Sequence, residues 1–229
     1  MFNYCCRISA PNDEAFEEAR RLGVYSAEAA CPLERYTPEE LEELRSWLID
    51  RGVKIALLDT ALTAGAEDFR RLFLAAHLLH VGAIRLPQGI DRETRVYIAR
   101  MSRALGIPTM AENQAQTALN TAAAVAEAIA EDDNAGWIFN PAEFVLEKVH
   151  PFLNAFTQSH IKNRIAFLRM QDRLFDGEKV RPGQGCAELK EMVSILLARS
   201  FAGYFLLEDD GVSDMAGQLA YLKKILREM

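Results

Sequence analysis

Short apolar runs of β-branched and aromatic character alternate with longer segments of helical spacing along almost the whole chain. The first run, FNYCCRIS, precedes DEAFEEARRLG, where apolar positions recur at helical intervals and a glycine closes the segment. VYSAEAA then precedes TPEELEELRSWLIDRG, with Thr37 as a cap, Pro38 in the first turn and Gly52 at the end. VKIALLD pairs with AEDFRRLFLAAHLLHVG, AIRLPQ with DRETRVYIARMSRALG, and IPTMAE with QAQTALNTAAAVAEAIAED. The rhythm loosens but continues through GWIFN and PAEFVLEKV. NAFTQSHI comes next, then a long irregular connection and CAELKEMVSILLARSFAG. YFLLED and SDMAGQLAYLKKILREM complete the series.

About eight strand–helix units with short links describe a parallel sheet whose helices cover its outside. Closed on themselves they make a (β/α)8 TIM barrel, an α/β fold for which this length lies near the lower end. No repeat, low-complexity tract or long linker breaks the chain, so 1–229 reads as a single domain. The competing architecture is an open doubly wound sheet, but no G-x-G-x-x-G turn follows the first strand. In a barrel the C-terminal strand ends form one rim. The pattern assigns to it Glu28, Asp59, Arg85, Glu112, Asn140, His160 with Lys162, and Glu208. Two carboxylates and an imidazole there suit a divalent cation, Arg85 and Lys162 suit the hydroxyl or phosphate oxygens of a substrate, and Glu28 suits a polar substrate contact in the pocket or a rim hydrogen bond.

Composition narrows the classes. Half of the 229 residues are hydrophobic, enough for a sizeable core. The formal charge of −7 repels phosphate backbones, so no nucleic-acid partner is expected. No basic leader with a long apolar stretch opens the chain and no apolar run reaches spanning length, which predicts a cytoplasmic protein without a membrane partner. Cys5, Cys6, Cys31 and Cys186 form neither a disulfide framework nor a CxxC site, and are read as reduced. Gly183 and Gly185 suit either a phosphate cradle or a flexible turn.

Several segments, in order, resemble the sugar phosphate isomerase/epimerase branch of the xylose isomerase-like barrels. They are GVYSAEA, FLAAHLLHVGAIRLPQG, RALGIPTMAENQ, SHIKNR (similar to H-x-K-D), RPGQGCAELKEM (similar to a P-G-x-G turn) and GYFLLED. The resemblance implies a divalent metal (Mn, Mg, Co or Zn) held by Glu, Asp, His and Glu at four strand ends. Glu112, His160 and Glu208 match three of these positions, Asn140 replaces the Asp, and Asn163 replaces the last residue of H-x-K-D. It further implies a role in carbohydrate metabolism, with Glu112 and Glu208 as base and acid moving a proton beside a substrate carbonyl on a small sugar or sugar phosphate. The apurinic-site endonucleases of the same superfamily need more histidines than the four present. The changed ligand keeps a second reading open, a metal-free barrel that binds a carbohydrate-like ligand without chemistry. The short DTALTAGAEDF connection, which offers little material for a lid, points the same way. Whether the chain forms a homo-oligomer is left open.

Overall fold

The computed structural model describes residues 2–8, 11–60 and 66–228. The DTALTAGAEDF connection falls partly outside them. Eight parallel strands close into a barrel in chain order, the last lying beside the first. Two compact units divide the chain.

The N-terminal unit holds Cys5–Ala111 and Ala128–Gly136. Its elements are β1 (Asn3–Ile8, from Cys5 on), α1 (Asp13–Arg21), β2 (Ser26–Ala30), α2 (Pro38–Arg51), β3 (Lys54–Asp59), α3 (Ala66–Leu78), β4 (Ile84–Arg85), α4 (Arg92–Leu105) and β5 (Thr109–Glu112, to Ala111). The strands pair in parallel, with Cys6 opposite Ala27, Ser26 opposite Lys54 and Ile84 opposite Thr109. The start of α2 is set by a reciprocal cap: Thr37 Oγ1 accepts from Glu40 N, and Thr37 N donates to Glu40 Oε2. The helix ends at Gly52 in the left-handed conformation. Phe16, Leu57, Phe69 and Phe73 are fully buried here.

The C-terminal unit holds Met1–Tyr4, Glu112–Glu127 and Trp137–Met229. It contains most of α5 (Ala122–Ala128), most of β6 (Gly136–Phe139), α6 (Pro141–Leu146), β7 (Ile165–Arg169), the hairpin β8 (Asp172–Arg173) and β9 (Lys179–Val180), α7 (Leu189–Ala198), β10 (Tyr204–Leu207) and α8 (Met215–Glu228). Trp137, Phe139 and Phe144 form its aromatic core, with ring centroids 4.7 to 6.2 Å apart. The helix α5 is shorter than its alanine-rich sequence predicts. Side chains of and beside α6 hold the preceding loop open, since Ala115 N donates to Glu143 Oε2 at 2.9 Å and Gln116 N to Glu147 Oε1 at 2.6 Å.

Among the described residues Cys5, Cys6 and Cys31 are buried, Cys186 is partly exposed, and none of the four forms a disulfide. Burial pushes the Cys6 and Cys31 thiols up to about 12, with the Glu18 and Glu34 charges respectively adding to it. A thiol-disulfide dye should therefore label Cys186 alone in the folded protein, and all four cysteines only after denaturation. Fast labelling of a second thiol under native conditions would contradict this packing. Among the described residues, no helix is long and apolar enough to cross a membrane.

Candidate functional site

Four strand ends of the C-terminal unit bring their polar residues together. Glu112 ends β5, Asn140 follows β6, Arg169 ends β7 and Glu208 follows β10. Arg169, only 2% exposed, lies between the two carboxylates. Its Nε and Nη2 donate to Glu112 Oε1 and Oε2 at 2.5 and 3.0 Å, and its Nη1 donates to Glu208 Oε2 at 2.9 Å. This is the forked geometry that guanidinium offers a carboxylate. Gln171 Nε2 donates to Glu208 Oε1. Asn140 Nδ2 donates to Glu112 Oε1 at 3.2 Å and to Gln171 Oε1 at 3.4 Å. Every carboxylate oxygen of the pair thus meets a donor. The Glu112 charge fixes the Asn140 amide with its nitrogen inward. Asn140 Oδ1 is left buried with no hydrogen-bond partner.

Two amide side chains hold this arrangement by the backbone. Asn113, buried beside Glu112, donates from Nδ2 to Asn140 O at 2.7 Å, while its Oδ1 accepts from Asn140 N at 2.9 Å and from Trp137 Nε1 at 3.1 Å. Gln218 of α8, fully buried, does the same for Glu208. Its Oε1 accepts from Glu208 N at 2.9 Å and its Nε2 donates to Glu208 O at 2.7 Å. Each amide satisfies main-chain groups where the strand ladder stops.

In the N-terminal unit a second polar set forms around Asp59, at the end of β3. Arg7 Nη2 donates to Asp59 Oδ2 at 2.9 Å, and Arg85 Nη1 lies 3.2 Å from both Asp59 oxygens. Arg7 Nη1 also reaches Glu28 Oε1 at 3.4 Å, and Glu28 is fully buried. Arg7 and Arg85 thus both meet Asp59, and Arg7 also meets Glu28. Arg7 sits inside the apolar run CCRI, so no break in the pattern marks it.

No protein-family model matches the sequence, and no curated protein does. Solved structures match over nearly all of the chain. A D-tagatose 3-epimerase-like protein aligns with a TM-score of 0.77 at 16% identity, covering 97% of each chain. A xylose isomerase-like TIM barrel protein from Mycobacterium smegmatis, in complex with magnesium, aligns with a TM-score of 0.77 at 14% identity, covering 99% of this chain and 96% of that one. The probable 3-DHS dehydratase AsbF from Bacillus anthracis aligns with a TM-score of 0.71 at 15% identity, covering 98% and 99%. This chain has the xylose isomerase-like TIM barrel fold.

Within that fold, one expected strand end is misplaced. NAFTQSHI is not the seventh barrel strand: Pro151–Phe156 forms a π-helical turn, and His160 lies exposed in the turn that follows. Lys162 begins a 3-10 turn ahead of β7, where its Nζ donates to Thr157 O at 3.1 Å, and Asn163 accepts from Arg199. His160 and Lys162 thus precede the strand instead of ending it, because the strand is IAFLR. After it, Arg169-Met170-Gln171-Asp172 has the spacing of H-x-K-D, with Arg for His, Gln for Lys and the Asp kept. Asp172, buried, accepts from the N–H groups of Arg173, Gly183, Gly185 and Ala187 at 2.8 to 3.0 Å. The glycine turn therefore cradles an anion that belongs to the protein. A Cβ on Gly185 would fall 2.5 Å from Arg173 O, so only glycine fits there.

The metal implied by the resemblance can be weighed against these residues. His160 stands elsewhere, Asn140 turns its nitrogen toward Glu112, and a guanidinium already binds both carboxylates. A divalent ion about 4 Å from that guanidinium would meet roughly 8 kcal/mol of repulsion at an effective dielectric near 20. Among the described residues no three His, Cys, Asp or Glu side chains group so as to hold a metal ion. The residues present do not fit a divalent cation.

Proposed function

We propose that the protein binds a small sugar or sugar phosphate at the Glu112–Arg169–Glu208 centre, without a metal. The observation that carries this reading is the buried, unpaired Asn140 Oδ1 inside an otherwise paired polar network. A buried acceptor without a donor costs about 1–3 kcal/mol, and a ligand hydroxyl can supply the donor. Glu208, whose side chain is 16% exposed, is the member of the set that reaches solvent. The likeness to a D-tagatose 3-epimerase-like structure supports the same ligand class.

A second reading adds proton transfer between Glu112 and Glu208 beside a substrate carbonyl. One guanidinium joining both carboxylates favours it, because Arg169 is a fixed positive charge where an enediolate oxygen would develop. Either carboxylate must leave Arg169 to take a proton.

Thermal denaturation against a panel of aldoses, ketoses and their phosphates tests the binding reading. At least one sugar at tens of millimolar should raise the melting temperature, and Asn140→Leu should weaken that ligand roughly 10- to 100-fold. A panel without any stabilising member, or a ligand indifferent to Asn140→Leu, would overturn it. Running the stabilising sugars in deuterated water separates the second reading, which requires deuterium at the carbon beside the carbonyl.

A further inference from the structure

We infer that Arg169 and Asn140 together replace a divalent metal with a cation carried by the chain itself. The resemblance calls for Glu, Asp, His and Glu around a doubly charged ion, a set with one net negative charge. Here Glu112, Asn140, Arg169 and Glu208 also carry one net negative charge. The cation falls from two charges to one, and one carboxylate becomes an amide. The two substitutions balance each other.

Geometry agrees with the charge. Arg169 reaches both carboxylates, each at a hydrogen-bonding distance. Asn140 donates to Glu112, which an Asp at that position could not do. Gln171 supplies the remaining donor to Glu208. The set is therefore shaped for a planar, five-donor cation, not for an ion that needs oxygen lone pairs directed at one point. This inference stands independently of whether a sugar binds.

Manganese(II) is a suitable probe, read by electron paramagnetic resonance of the bound ion and by melting temperature. The wild-type protein should bind no stoichiometric manganese at millimolar concentrations and show no thermal shift. Asn140→Asp alone should bind none either, because Arg169 remains. Arg169→His combined with Asn140→Asp should bind one ion, with a rise of roughly 5–10 °C at a hundredfold excess over Kd. Arg169→Lys, which keeps the charge, should stay blind to manganese. Stoichiometric binding by the wild type that Glu112→Gln abolishes would overturn the inference. A double variant that folds without binding manganese would overturn it too. So would a double variant that stays unfolded at every manganese concentration, since one cation should restore what removing the other took away.

Discussion

An Arg169→Met protein is expected to lose roughly 3–5 kcal/mol of folding stability, the usual effect of stripping one partner from a buried ion pair. Methionine fills much of the arginine's volume, so the loss isolates charge from packing. Glu112 and Glu208 would face each other with no cation between them, and the donors from Asn140 and Gln171 cannot neutralise two carboxylates. Equilibrium urea unfolding at neutral pH measures the effect. Adding Glu112→Gln and Glu208→Gln to Arg169→Met removes the stranded charges and should recover most of the stability. A single-variant loss below about 1 kcal/mol would show that the carboxylates gain water or protons at little expense.

Asp172→Ala is the second large effect. It withdraws the acceptor from four backbone N–H groups, three of them in the turn around Gly183, Gly185 and Ala187. At about 1 kcal/mol for each bond, the loss is roughly 3–4 kcal/mol. Amide hydrogen exchange gives the local signature: protection at residues 183, 185 and 187 should collapse first, while the Trp137 region stays protected. Asp172→Asn, which keeps one oxygen, should fall between the two. Unchanged protection of the turn in the alanine variant would mean that something other than Asp172 holds it.

The barrel was legible because apolar period, caps and glycines agree in most units. TPEELEELRSWLIDRG shows it best, where the expected cap at Thr37 and stop at Gly52 are both present. Glu112, Asn140 and Glu208 were found by one signal, a polar residue closing a strand run. That signal failed at β7 for two physical reasons. A short apolar run such as NAFTQSHI carries no periodicity that separates a strand from a helical turn. Arginine is also normally a surface residue, so the polar Arg169 inside IAFLRMQ reads as the end of burial when it lies in the core. The kept Asp172, followed by the glycine turn it binds, was the clue to the correct register. Arg7 had no such clue, since its partners Glu28 and Asp59 come from other strands.

The paired amides of Asn113 and Gln218 separate scaffold from chemistry. Both grip the main chain of a site residue, through the N–H and C=O of Asn140 and of Glu208, and neither depends on what side chain those residues carry. Positions 140 and 208 thus behave like sockets, whose occupants can be exchanged while the rim around them keeps its shape. A lineage holding such sockets can trade one reactive group for another by single steps, and a protein engineer can do the same. The immovable residues are then not the ones that meet a ligand, but the two amides behind them.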